Sequence, residues 1–167
     1  MPLSSSAPAS MREHAPLSRL AEAELHGVLG YQIAQASIAT NAVFEHEVGG
    51  TESLRRLEYT VLALVHANPG CTARQLARGL AVTPPHITVC LDRLTGRGLV
   101  LRSRGEADAR VQHLRTTAAG TALARRCTQR LLAGEAAALA ALSVAERAML
   151  VELLHKVALT RPRAAAR

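Results

Sequence analysis

The 167-residue sequence has no tryptophan, one phenylalanine and two tyrosines. Any core must therefore be built from Leu, Val and Ala, which suits packed helices better than an aromatic-rich sandwich. Lysine is nearly absent too. Lys156 is the only one, so almost all of the formal net charge of +7 comes from arginine. No apolar run reaches the ~18 residues needed to span a bilayer. Residues 1–16 are small, polar and broken by proline, which reads as a disordered tail rather than a signal peptide. The cysteines Cys71, Cys90 and Cys127 are odd in number and far apart, without a CxxC pair. Reduced thiols in a cytoplasm are the expectation. No two of the seven histidines stand three or four residues apart, and no Cys-His cluster exists, so no metal site is expected. A Gly-x-Ser-x-Gly turn, a phosphate loop and a carboxylate pair on an evident cleft are also missing. The sequence thus gives no basis for a catalytic site or a cofactor.

What is present is helical periodicity around one short hairpin. Apolar spacing predicts a long helix over residues 17–46, with Leu17, Leu20, Ala21, Val28, Ile38, Ala42 and Val43 as buried candidates and Gly49-Gly50 as its end. A second helix is predicted over 52–67, closed by Asn68-Pro69-Gly70. Thr72 and Gln75 form a capping box for a third, short helix ending at Gly79 or Leu80. Thr83-Pro84 opens a fourth, running to about Thr95. Residues 99–104 and 111–116 are short enough for two strands. A fifth helix follows from Thr117 to about Leu142, and Ser143 with Glu146 opens a sixth, to about Leu159.

The fourth helix carries Ile87, Cys90, Leu91 and Leu94 on one face, which is assigned to the core. The opposite face offers Pro85, His86, Thr88, Val89, Asp92 and Arg93. Such a helix suits a DNA major groove, where Thr and Val meet thymine methyls and His meets acceptors. Pro84 and Pro85 remove two backbone donors, so the Thr83 hydroxyl is expected to cap the amide of His86. Taken alone, this pattern is better read as an ordinary amphipathic surface helix. The hairpin adds Arg102, Arg104 and Arg110, with Asp108 two residues before Arg110. Residues 71–116 hold eight arginines against Asp92, Glu106 and Asp108. An arginine at a hairpin tip suits a narrow minor groove, and a nearby carboxylate can hold its guanidinium in one rotamer. A solvated charged turn is the competing reading of that loop.

Order and spacing together resemble the MarR family of bacterial transcription regulators over residues 52–160. The resemblance rests on the run at 54–62, the segment TARQLARGLAVTPPHITVCLDRLTGRGLV at 72–100, and Asp108-Ala-Arg110 in the wing. Thr117-Ala-Ala-Gly120 and the Leu-Ser-x-x-Glu entry at 142–146 complete it. It implies a mainly α fold with a small β-hairpin wing, a winged helix-turn-helix flanked by dimerisation helices. The expected organisation is a tail (1–16), an N-terminal dimerisation helix (17–50), the DNA-binding domain (51–116), C-terminal dimerisation helices (117–160) and a basic tail (161–167).

By this resemblance Thr83, Pro85, His86, Thr88, Val89, Arg93, Arg102, Arg104, Asp108 and Arg110 face double-stranded DNA. Arg110 is the wing arginine and Asp108 its orienting partner. The implied protein is a cytoplasmic homodimeric repressor of a pseudo-palindromic operator, with no membrane partner. Relatives of this kind respond to small effectors, often aromatic acids or their thioesters. The polar and aromatic residues near such a crevice are Tyr31, Asn41, His46, Arg56 and Tyr59, each of which also has a plain structural reading: Tyr59 as core, His46 and Arg56 as solvated helix ends. Two alternatives stand beside ligand release. One is redox control of the same fold, with Cys71 at the start of a helix where a thiolate is favoured. The other is a dimeric helical adaptor that binds protein.

Overall fold

The computed structural model describes residues 14–104 and 112–161. A 3₁₀ turn at Ala23–Gly27 precedes α1 (Leu29–Phe44), which runs on through a π-helical turn (Glu45–Gly49) and one helical turn (Gly50–Glu52). Then come α2 (Arg56–Ala67), α3 (Ala73–Leu80), α4 (Pro84–Gly96), β1 (Val100–Arg104), β2 (Gln112–Thr116), α5 (Ala118–Ala138) and α6 (Val144–Leu159). The result is mainly helical with one antiparallel hairpin, as the sequence predicts.

Local chemistry explains most of the boundaries. At α3 the Gln75 N–H donates to Thr72 Oγ1 (3.3 Å) and the Thr72 N–H to Gln75 Oε1 (2.8 Å). At α6 the same reciprocal pair joins Ser143 and Glu146, at 3.2 and 2.7 Å. Each box satisfies two amides that have no intrahelical acceptor. Thr117 caps α5 through the Gly120 N–H at 2.9 Å.

Three expectations are corrected. The first helix is not continuous from residue 17: Leu17 and Ala23 have positive φ (58° and 46°), and Val28 is extended, so the regular helix begins at Leu29. Nor do Gly49 and Gly50 end it. The wider π turn brings Val48, fully buried, to the side of Val43 and Phe44. The space a Gly49 side chain would need is taken by Glu45, whose Oε2 lies 2.3 Å from the ideal Cβ position. The chain leaves the helix at Ser53, in the left-handed region (φ 50°). Consequently α2 starts at Arg56, with the Arg55 N–H donating to the Glu58 carboxylate (2.9 Å). Finally, α5 stops at Ala138, four residues early, because 139–142 form the turn that feeds the Ser143 cap.

One core unites Phe44, Val48, Leu54, Leu62, Val65, Ile87, Leu91, Leu94, Val100, Leu114, Leu123 and Cys127. It lies where α2, α4, the hairpin and α5 meet. Leu and Val do supply its bulk. Of the buried candidates proposed for the first helix, only Val43 is inside; Leu17, Leu20, Val28 and Ile38 are exposed, as are Ala21 and Ala42. Helix α6 has no buried residue at all, and Met149, Leu150, Val151, Leu153, Leu154 and Val157 all face outward. The apolar faces expected to be buried on these two helices, Val43 apart, are thus exposed in the single chain.

Candidate nucleic-acid interface

Helix α3 ends at Ala81 in the left-handed region (φ 53°), and the Val82 N–H returns to Ala77 O (3.0 Å). This tight turn sets α4 across α3. Thr83 is extended, and Pro84 and Pro85 occupy the first helical positions with φ already suited to a helix. The expected side-chain cap from Thr83 is absent, a correction: its carbonyl, not its hydroxyl, receives the first helical bond, from the Ile87 N–H (3.3 Å). The prolines at the first two positions have no N–H, and the His86 N–H makes no bond to the Thr83 side chain.

Ile87, Cys90, Leu91 and Leu94 are buried, and Thr83, Pro85, His86, Thr88, Val89, Asp92 and Arg93 are all exposed. The amphipathic division expected of a groove-reading helix is therefore present. The Thr88 hydroxyl donates to the Pro84 carbonyl (3.1 Å), so its proton stays within the helix while its methyl and lone pairs remain outside. Arg93 reaches back to Glu58, Nη1 to Oε1 at 3.1 Å, across 35 residues of sequence. The Glu58 side chain is only 8% exposed, so this guanidinium balances a largely buried carboxylate.

The hairpin pairs Val100 with Thr116 through Arg104 with Gln112. A further bridge joins Leu114 to Cys71: the Gly70 N–H donates to Leu114 O and the Leu114 N–H to Cys71 O, both at 2.8 Å. The entry to α3 is thus stitched to the wing. Arg104 stands at the end of β1, while Asp108 and Arg110 fall outside the described residues. Arg102 does not project freely. Its Nη2 lies 2.6 Å from Asp92 Oδ1, tying the wing to the outward face of α4. The sequence had placed Asp92 on that face without revealing this partner.

A second polar network lies behind α4 and includes residues the sequence did not single out. Glu52 accepts from Arg126 (3.0 and 3.2 Å) and Arg130 (3.3 Å) of α5. The main-chain oxygens of Glu52 and Ser53 accept from Arg97 at the end of α4 (2.9 and 3.0 Å). The Arg126 hydrogen bond, opposed by partial burial and helped by the Arg126, Arg130 and Arg97 charges, holds the Glu52 carboxyl below the ordinary value of 4.5.

The residues proposed for an effector fall into three places. Asn41, Arg56 and Tyr59 gather around Phe44. Arg56 donates to Asn41 Oδ1 and stacks its guanidinium 5.4 Å from the Phe44 ring centroid; Tyr59 lies 6.0 Å from the same ring and shares a hydrogen bond with Thr128 (3.0 Å). Tyr31 stands apart and donates to Glu22 (3.0 Å), which also meets His26 (2.8 Å). His46 is exposed beside Glu47. A shallow, uncharged depression between α2 and α3, lined by Leu64, Pro69, Leu76 and Gly79 among others, includes none of these residues.

The thiols do not form a reactive set. Burial pushes Cys71 up from its ordinary value, which opposes a thiolate at the start of α3. Burial pushes Cys90 up to about 11, assisted by the Glu58 charge, and raises Cys127 as well. Among the described residues no helix is long and apolar enough to cross a membrane.

Comparison with known proteins agrees with this architecture. The MarR family model matches residues 54–111. A putative transcriptional regulatory protein for the hcr operon of Thauera aromatica is 28% identical over 153 residues, covering 88% of this chain and 92% of that protein. The transcriptional repressor Rv2887 of Mycobacterium tuberculosis is 30% identical over 132 residues, 77% of this chain and 92% of its own. Its structure with p-aminosalicylic acid superposes with a TM-score of 0.63 at 25% identity, covering 78% and 98%. The repressor CouR, bound to a 23-mer DNA duplex, superposes with a TM-score of 0.76 at 31% identity, covering 84% of this chain and 99% of that one. With α3 and α4 set as a helix-turn-helix, the hairpin as its wing, and relatives spanning most of its length, this chain belongs to the MarR family of transcriptional regulators.

Proposed function

We propose that this chain is a homodimeric repressor that binds a pseudo-palindromic operator and is released by a small effector. The observation that carries the DNA-binding part is α4: one face forms the core, and the other presents Pro85, His86, Thr88 and Val89 to solvent beside a basic hairpin. Thr83, Arg93, Arg102 and Arg104 border this face, and Asp108 and Arg110 take the wing roles that the family resemblance gives them. Dimerisation is supported by α1 and α6. A 16-residue helix without one buried side chain is marginal in water unless another apolar surface covers it. Leu29, Ile33, Leu150, Leu153, Leu154 and Val157 are the residues such a partner would cover. A two-fold pair places two α4 helices about one DNA turn apart, roughly 34–36 Å.

For the effector, the Asn41–Arg56–Phe44–Tyr59 group supplies an aromatic wall and a cation, which suits an aromatic carboxylate or its thioester. That Rv2887 was solved with p-aminosalicylic acid supports this class. A redox trigger has less support, because burial raises all three thiols and so disfavours the reactive thiolate. An adaptor that binds only protein leaves the exposed face of α4 and the wing arginines without a task.

The test is a fluorescence-anisotropy titration against the DNA upstream of the chain's own gene and a scrambled duplex, at two salt concentrations, with sedimentation of the free protein. A dimer that prefers the native DNA and weakens steeply with salt supports the proposal. Equal, weak binding to both duplexes by a dimer moves the adaptor reading ahead.

A further inference from the structure

The outward face of α4 carries a carboxylate in a place where the DNA backbone would favour none. At about 100° per residue, Pro85, Thr88, Val89 and Asp92 lie together on the side opposite Ile87, Leu91 and Leu94. Asp92 is central to the proposed reading surface, and its side chain is 59% exposed. It holds Arg102 at 2.6 Å. Arg102 is the more enclosed partner, 27% exposed, and its Nε is buried without a hydrogen-bond partner among the described residues. The Asp92 bond at Nη2 is the contact that holds the side chain. The one arginine of α4, Arg93, is likewise held by an acid, Glu58. Arg93 and Arg102 are therefore both committed to acids within the protein before DNA arrives.

Resting on the DNA-binding reading above, the geometry points to Asp92 as a specificity-determining residue that works by restraining Arg102. Phosphate attraction is the same for every sequence, so a free guanidinium beside α4 raises binding to any duplex. While Asp92 holds Arg102, that indiscriminate term is withheld and the carboxylate adds its own repulsion. Operator binding relies instead on base edges and methyl groups met by His86, Thr88 and Val89. The restraint lowers non-specific affinity more than operator affinity and so widens the ratio between them.

Four proteins test this: wild type, Asp92→Asn, Asp92→Glu and the double variant Asp92→Asn/Arg102→Ala. Each is titrated with operator and scrambled duplex between 50 and 200 mM salt, with melting temperature as a folding control. Asp92→Asn should bind scrambled DNA more tightly at low salt. One new phosphate contact in each subunit steepens its salt slope by about 1.8, so its affinity falls roughly an extra tenfold across that range. Operator affinity should change less, and the specificity ratio should fall. Asp92→Glu should keep the wild-type ratio, and the double variant should lose the added slope. If the gain persists without Arg102, the carboxylate acts alone and the restraint is wrong. Parallel loss of both affinities with a lower melting temperature also overturns the inference, as does an unchanged ratio in Asp92→Asn. Failure of the wild type to prefer any operator is a separate result, which removes the DNA-binding reading and this inference with it.

Discussion

Replacing Gly120 with alanine sets a local preference against a tertiary contact. In an isolated helix the change favours folding by about 1 kcal/mol, because alanine is the better helix former. Here an ideal Cβ on Gly120 would lie 2.0 Å from the Leu99 carbonyl oxygen and 2.9 Å from its carbon. An unstrained C···O contact is about 3.3 Å, so a gap of about 1.3 Å must be opened. The obstacle is backbone and cannot swing aside. Leu99 O accepts the Thr117 N–H (3.0 Å), and the Leu99 N–H is bound to Leu94 O (2.9 Å). Overpacking of this kind costs about 1–3 kcal/mol, and losing the Thr117 bond adds about 1. After subtracting the propensity gain, the variant should be destabilised by about 1–3 kcal/mol. For a chain of this size 2 kcal/mol corresponds to a fall in melting temperature of about 4–8 °C. The assay is thermal unfolding by circular dichroism at one fixed protein concentration, since association would shift the transition. A variant that melts at or above wild type would show that the Leu99 strand entry yields cheaply, and the close-approach argument would be refuted.

Two further predictions concern named polar residues. Glu52→Gln should destabilise the protein by about 1 kcal/mol at pH 7, since the paired arginines are half exposed and partly screened. The Glu52 carboxyl titrates lower folded than unfolded, so its contribution is fully present above pH 4.5 and is lost as pH falls through its folded value. Urea unfolding across pH 3–7 should therefore show the two proteins converging at the acid end, and a constant difference would contradict the ion-pair account. Arg56→Ala should weaken p-aminosalicylic acid about tenfold or more if the guanidinium meets the carboxylate. Calorimetry showing unchanged affinity removes Arg56 from the effector site.

Features written over three or four consecutive residues were legible in the sequence. The Thr72–Gln75 and Ser143–Glu146 boxes, the Pro84-Pro85 entry and the core face of α4 all depend on spacing within one helix turn, and the structure shows each of them. The expected Thr83 side-chain cap is not formed, although the His86 amide it would serve keeps its N–H; spacing alone does not fix the side-chain rotamer that a cap needs. The first helix was harder. Its apolar residues were real signals, but periodicity does not distinguish burial in one's own core from a face left outside it. Nor does a Gly-Gly pair announce that the helix will widen into a π turn instead of stopping. Long-range polar partners were not legible at all. Glu52 meets Arg126 across 74 residues and Tyr59 meets Thr128 across 69, and nothing in local spacing marks either. Even Asp92 and Arg102, ten residues apart, are joined only because the hairpin folds back over α4.

The short turn at Gly50–Glu52 has a mechanical side as well. Glu52 grips two arginines of α5 with its carboxylate, while its carbonyl and that of Ser53 grip Arg97 at the trailing end of α4. One peptide segment thus touches both α5 and α4, and Ser53 within it sits in the left-handed region, which costs a non-glycine residue about 1–2 kcal/mol. Three arginines from two helices converge through five hydrogen bonds on Glu52 and Ser53, which makes that turn the joint between α5 and the end of α4.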